Sequence, residues 1–253
     1  MLFTFSVGGL PRDVVGQPPE AESDRALVQT TVEGLAAIVE REYFDPDAAA
    51  RVSATLRERL EQGRYDKSPT LESLAGTLNG DLYALTRDKH LNVAVVPEAT
   101  SKASAAARPD RSREARGRRE NFGVQRVEIL AGNVGYLNLT AYYRPDEVRD
   151  TLSAAMQTLQ NADAIILDMR SNSGGSPETV ALLASYFFDA PQLPLFSVVD
   201  RLGGRREYFT EKTPPRERNE LRPVYVLPSK RTFSEGEGTA ILLQERQRVS
   251  VNE

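Results

Sequence analysis

Cysteine is absent from the 253-residue chain, which excludes disulfides, thiol catalysis and thiolate metal sites. Histidine occurs once, at His90, so a histidine-based metal site has no second ligand of its kind. Any serine–histidine chemistry within the chain has that one candidate base. No apolar run reaches the roughly 18 residues that a membrane-spanning helix needs. A basic surplus is missing too: the net charge is −4, which gives no global case for nucleic acid or an anionic membrane as partner. No internal repeat and no P-loop pattern of glycines followed by Gly-Lys-Ser/Thr is found, which argues against nucleotide binding.

What is present suffices for one large domain or two modest ones, since 40% of the residues are hydrophobic. The first ten residues, MLFTFSVGGL, are apolar but lack a basic lead and an A-x-A-like cleavage site. They read either as a remnant signal peptide or as a frayed terminus, within a lead of residues 1–23. Three amphipathic patterns follow in residues 24–97. Leu27, Val28, Val32, Leu35, Ile38 and Val39 form the first stripe. Asp45–Pro46 opens the second as N-cap and first helical residue; Ala49, Val52, Leu56 and Leu60 form its stripe, and Gly63 ends it. Ser68–Pro69 opens the third, with Leu71, Leu74, Ala75, Leu78, Leu82 and Leu85. Each stripe must be buried against the others, which predicts a small three-helix bundle. Residues 90–96, HLNVAVV, then alternate as a strand does.

Residues 98–120 have almost no large apolar side chains and carry seven basic against four acidic residues, a net of +3. A basic contact patch and a solvated flexible linker both fit; the composition favours the linker. From residue 121 the pattern changes. VQRVEIL and NVGYLNL flank AGN as a hairpin, and residues 145–160 return to helix. AIILDMR is a short continuous apolar run, as for a strand buried on both faces. SPETVALLASYFF starts a helix at Ser176, LFSVV and PVYVL are strands, a helix follows Ser234, and RVSV begins a last strand. Alternating strands and helices predict an α/β domain over residues 121–253.

Two loops leave strands and open helices, so both are expected at the carboxyl edge of one sheet. In DMRSNSGGSPE (168–178), Gly174 and Gly175 let the backbone approach closely, and amides at the helix start suit an oxyanion; an ordinary tight connection reads equally well. In RTFSEGEGTA (231–240), Ser234 with Glu237 makes a capping box. Ser234 is also a candidate nucleophile, since one position at a helix start can serve both ends. In that case Gly174, Gly175 and the N–H of Glu235 are candidate oxyanion donors, and His90 is the candidate base. His90 beside Asp88 and Lys89 also fits a plain surface residue.

AIILDMRSNSGGSPETVALLASYFF and YVLPSKRTFSEGEGTAILLQ resemble the strand–glycine and nucleophile segments of the tail-specific (C-terminal processing) serine peptidases, and LYALTRDKHLNVAVV, upstream of both, resembles the histidine segment of the branch related to interphotoreceptor retinoid-binding protein. YFDPDAAARV and ENFGVQRVEILAGNVGYLNL are similar to the branch related to interphotoreceptor retinoid-binding protein. The resemblance covers residues 24–253. It implies a helical N-terminal domain and a crotonase-like core, a spiral of ββα units, with an overall α/β (α+β) class. It also implies Ser234 as nucleophile, His90 as base, and Gly174, Gly175 and the Glu235 amide as the oxyanion region. No metal or cofactor is implied; the partner is a peptide or protein substrate. The family's PDZ domain has no room within the linker. Members with a Ser–Lys dyad place the lysine after the next strand, yet no lysine follows Lys230. The chain stops at Glu253, so the resemblance implies an incomplete core and puts the residue that orients the histidine further on. The implied function is an acyl-enzyme peptidase, with export (periplasmic or extracellular) the favoured compartment and the cytoplasm the alternative. A fold-retaining binder of an apolar ligand such as a retinoid or fatty acid is the alternative, with a crotonase-type acyl-thioester enzyme a third.

Overall fold

A computed structural model describes residues 20–68, 70–96, 110–188, 192–211, 222–246 and 249–251. The expectations for residues 1–19 and 97–109 lie outside the described residues. The chain divides into two compact units, one of residues 1–108 with 200–204, the other of residues 109–199 with 205–253.

The first unit is helical: α1 (Glu20–Glu42), α2 (Pro46–Glu61) and α3 (Leu71–Thr86). Local chemistry sets the ends. Asp45 accepts the N–H groups of Asp47 and Ala48 at 3.0 Å each, ahead of Pro46, whose missing N–H costs nothing in the first turn. For α3 the cap is Thr70, whose hydroxyl oxygen accepts the Ser73 N–H at 3.1 Å; the sequence placed the start at Ser68–Pro69, two residues early. The three stripes bury Val32, Leu35, Val39, Val52, Leu56, Leu78 and Leu82 in one cluster. Each large apolar side chain so buried contributes about 1.5–3 kcal/mol before entropy is counted. Beneath them Asp81 is buried and accepts from Arg64 and from the Tyr65 hydroxyl, so its charge is fully partnered.

Residues 91–96 do not pair as a strand. The Asn79 side chain takes the place of a neighbouring strand: its Oδ1 accepts the Val93 N–H at 2.7 Å and its Nδ2 donates to the Val93 carbonyl at 2.8 Å. The alternating pattern was real, but an amide side chain satisfies the backbone that a ladder would have satisfied.

The second unit begins with a further correction. Residues 110–119, expected within a flexible linker, form helix α4 (Asp110–Arg119). Its charges pair along the helix, Arg118 with Glu114 and Arg116 with Glu120. The Tyr143 hydroxyl donates to Glu120 at 2.6 Å, which fastens the helix end to the core. A 3₁₀ turn (Asn121–Gly123) leads to β1 (Val124–Leu130) and β2 (Val134–Leu139), the expected hairpin. There follow α5 (Pro145–Thr158), β3 (Ala164–Asp168), α6 (Pro177–Ala184), β4 (Pro194–Val199), β5 (Arg205–Phe209), β6 (Val224–Leu227), α7 (Glu235–Glu245) and β7 (Val249–Val251).

The main sheet has the order β1-β2-β3-β6-β7, antiparallel between β1 and β2 and parallel elsewhere. Strand β4 lies apart, paired only with β5, where Phe196 stacks on Tyr208 at 4.8 Å. Leu137, Leu139, Ile165, Leu167, Val224 and Val226 are buried on one sheet face, in one cluster with Val148, Leu152, Met156, Leu183 and Leu243 of the helices. The opposite face carries Tyr136, Asn138, Ile166 and Tyr225, none of them fully buried. Strand β3 is therefore fully buried along one face only, not along two. Its continuous apolar sequence hides an alternation in burial, because Ala164 and Ile166 are only partly covered. The result is a mixed α/β fold preceded by a helical region.

Candidate active site

Parallel pairing decides where the site lies. Strands β2, β3 and β6 run the same way, so their carboxyl ends release three loops at one edge. The loop after β3 holds Gly174 and Gly175, the loop after β6 ends on Ser234, and the segment after β2 runs through Tyr142.

The loops are sewn together by buried polar groups. At the end of β3, Asp168 accepts from the Arg170 guanidinium at 2.7 and 3.0 Å and from the Tyr136 hydroxyl at 2.5 Å. The Arg170 guanidinium, together with Tyr136, holds its carboxyl well below the usual range, at about 2, against the opposing effect of burial. Thr232 donates to the Met169 carbonyl at 2.8 Å and its oxygen accepts the Ser229 N–H at 2.8 Å, which ties the β6 exit to the β3 exit. Asn172, fully buried, is the hub. It donates to the Leu139 carbonyl at 2.9 Å and accepts the Gly174 N–H at 2.9 Å, while its own carbonyl accepts the Phe233 N–H at 2.9 Å. One residue thus sets the spacing of all three loops.

The segment 173–176 bonds to residues 140–142, just past the end of β2, through a parallel bridge between Tyr142 and Gly175. Ser173 N–H donates to Thr140 O, Tyr142 N–H to Gly174 O, and Ser176 N–H to Tyr142 O, at 2.8–2.9 Å. Two positions here require glycine. A Cβ on Gly175 would lie 2.0 Å from the Tyr142 carbonyl, and one on Gly174 would lie 2.7 Å from the Ser234 Cβ. Both also have positive φ, +144° at Gly175 and +82° at Gly174. The Tyr142 hydroxyl, pushed upward in pKa by burial, shares a hydrogen bond of 2.7 Å with Thr239 and so pins α7 to this edge.

Ser234 stands at the start of α7 with φ +54° and ψ −122°, a conformation that costs a non-glycine residue about 1–3 kcal/mol. The capping relation with Glu237 is present: its carboxylate accepts the Ser234 N–H at 3.2 Å. The serine hydroxyl turns elsewhere, donating to Glu235 Oε2 at 2.7 Å. The Gly175 N–H donates to the same oxygen at 2.9 Å. Among the expected oxyanion donors, Gly174 departs from expectation, because its N–H is already given to Asn172. The Gly175 N–H points toward Ser234's oxygen acceptor, and the Glu235 N–H makes no hydrogen bond among the described residues. Ser234, Gly174, Gly175 and Glu235 are therefore brought together.

His90 belongs to the helical unit. Its Nδ1 lies 2.8 Å from Asp88 Oδ1, and its backbone N–H donates to the same oxygen at 2.8 Å. The Tyr43 hydroxyl donates to Asp88 Oδ2 at 3.2 Å. Burial would raise the Asp88 carboxyl, but these donors together hold it below the ordinary range. Tyr43 is pushed up to about 12 by burial and by Asp88. The sequence put the acid that orients the histidine beyond the end of the chain; the structure places Asp88 on the ring, two residues away. That spacing was readable in DKH as a local turn, as was Asn172 in SNSGG, but neither carries a signal of its partner. Among the described residues no group of three or more His, Asp or Glu side chains is placed to hold a metal ion, and no helix is long and apolar enough to cross a membrane.

Residues 133–251 match the model of peptidase family S41, and residues 23–120 match the N-terminal domain of peptidase S41 described from eukaryotic IRBP. A solved structure from Parabacteroides merdae, described as a peptidase, aligns with 88% of this chain and 74% of its own at 15% identity, TM-score 0.53, which shows a shared fold. An S41 protease of Bacteroides fragilis aligns at 24% identity with 51% of this chain and TM-score 0.41; the chain spans 38% of that protein's length. The photosystem II D1 C-terminal processing protease aligns at 13% identity over 88% of this chain and 80% of its own, TM-score 0.46. With the peptidase region and the N-terminal region matched by models of one family, in that order and over nearly all of its length, the chain belongs to peptidase family S41.

Proposed function

We propose that the protein is a serine peptidase acting through an acyl-enzyme, with Ser234 as nucleophile. The observation that carries this reading is the conjunction at one sheet edge of a backbone-strained serine at a helix start and a glycine N–H aimed at the place beside its hydroxyl. Strain held at one polar residue by a network that over-determines it is what an exposed nucleophile on a tight turn requires. A residue serving only as a cap has no need of it.

In this reading Ser234 Oγ attacks the scissile carbonyl carbon, and its proton passes to His90. With the Nδ1–H donated to Asp88, the neutral ring carries its lone pair on Nε2, and the carboxylate stabilises the imidazolium that forms. The oxyanion is met by the N–H groups of Gly175 and Glu235, helped by the positive end of α7. Gly174 contributes space rather than a donor. The imidazolium then protonates the leaving amine, and water, deprotonated by the same histidine, releases the acyl group. The substrate is a peptide or protein, and the compartment proposed is outside the cytoplasm.

A fluorophosphonate probe tests the assignment. Labelling is expected in the native chain and absent in Ser234→Ala; labelling that persists in Ser234→Ala overturns it. His90→Ala is expected to lower turnover by about 10²–10⁴-fold, the usual contribution of a positioned base.

A further inference from the structure

The acceptor of the serine proton in the α/β unit is a side chain of the same helix. Glu235 Oε2 lies 2.7 Å from Ser234 Oγ and 2.9 Å from the Gly175 nitrogen. A substrate carbonyl poised for attack needs its carbon about 3–3.5 Å from the nucleophile's oxygen and its oxygen about 2.7–3.1 Å from a donor. Glu235 Oε2 sits at the donor distance from Gly175 and, hydrogen-bonded to Oγ, fills the space in front of the hydroxyl that this carbonyl group must enter. It is also seated closely: a Cβ on Gly174 would come within 2.9 Å of it. The two carboxylates of the first turn thus have separate tasks, Glu237 accepting the Ser234 backbone N–H and Glu235 filling the space in front of the hydroxyl.

We propose that the Glu235 carboxylate is a built-in occupant of the oxyanion seat, so that the resting site is self-blocked and acylation requires this side chain to leave. The inference rests on the reading of Ser234 as nucleophile. Both hydrogen bonds are charge-assisted, and the helix dipole that would favour a substrate oxyanion favours the carboxylate as well. While it is seated, it takes the hydroxyl proton's hydrogen bond away from any base and the Gly175 donor away from any carbonyl. The observed reactivity is then the intrinsic reactivity multiplied by the fraction of molecules in which Glu235 has left. A carboxylate acting instead as proton acceptor for Ser234 would have the opposite effect on rate, so the sign of a substitution separates the two roles.

The test is the second-order rate of fluorophosphonate labelling in the native chain, Glu235→Gln and Glu235→Ala, each repeated with Ser234→Ala. Glu235→Ala is expected to label about tenfold or more faster than the native chain, and Glu235→Gln, which keeps the shape but weakens the acceptor, to fall between them. If the alanine variant does not fold, the glutamine variant decides alone by the same sign. An equal or lower rate with labelling still dependent on Ser234 overturns the self-blocking and leaves the nucleophile standing. Labelling that survives Ser234→Ala, or no labelling in any variant, overturns both.

Discussion

Replacing Asn172 is expected to loosen the whole site from a position that touches no substrate. In Asn172→Ala the Leu139 carbonyl loses a donor and the Gly174 N–H loses an acceptor, both at 2.9 Å and both beside a fully buried side chain. Each buried polar group left without a partner costs about 1–3 kcal/mol, so the variant should lose roughly 2–6 kcal/mol. That is a large part of the about 5–15 kcal/mol that holds a domain together. Asn172→Asp refines the test. Its carboxylate can still accept the Gly174 N–H, but its other oxygen then faces the Leu139 carbonyl, acceptor against acceptor. Protonation turns that oxygen into a donor, so the folded-state pKa of the new carboxyl is raised above its unfolded value. The deficit relative to the native chain should therefore be smallest below the unfolded-state pKa, grow as pH rises from there through the raised folded pKa, and level off above it. Urea titrations followed by circular dichroism at pH 5 and pH 8 measure both effects. A loss below about 0.5 kcal/mol in Asn172→Ala, within the range of an ordinary surface change, refutes the hub assignment. So does an Asp variant no better off in acid.

Ser234→Gly should abolish probe labelling yet raise stability by about 1 kcal/mol, because glycine adopts φ +54° without strain; a destabilised variant would show that the serine conformation is not costly. Asp168 gives a pH signature. Its folded pKa is depressed to about 2, so its contribution is complete above about pH 4 and lost as pH falls toward 2. Its size is on the order of 1 kcal/mol, since the Arg170 partner is largely solvated, and it should vanish in Asp168→Asn. In the helical unit, Leu56→Ala, at a fully buried position, should cost about 2–5 kcal/mol in the melting of that unit.

The elements that could be read from sequence are those whose causes lie within a few residues. The Asp45–Pro46 start of α2 and the hairpin around residues 131–133 depend on neighbours alone, and they stand where the pattern puts them. Two loops meeting at one edge could be anticipated as well, because strands followed by helices run parallel. What escaped the pattern depends on partners distant in sequence. Residues 91–96 have strand alternation but bond to Asn79, and β3 has a doubly buried composition but one face that is only partly covered. β4 leaves the main sheet for β5, and Arg116 and Arg118 find glutamates that turn a charged stretch into a helix. In the site, the types of Ser234, Gly174 and Gly175 were visible. The positive φ of the serine, the diversion of the Gly174 N–H to Asn172 and the seat taken by Glu235 all arise from contacts between loops.

The bridging of residues 173–176 to residues 140–142 has a consequence for timescales. That backbone is held by three backbone hydrogen bonds, so it moves only when they open together, in the microsecond-to-second range of local unfolding. The Glu235 side chain is held by two contacts at its tip and reorients by rotation about single bonds, in picoseconds to nanoseconds once released. Opening and closing of the site at this edge is then a side-chain equilibrium far faster than any turnover. Labelling should run as a single exponential with no lag, and prior incubation should leave its rate unchanged.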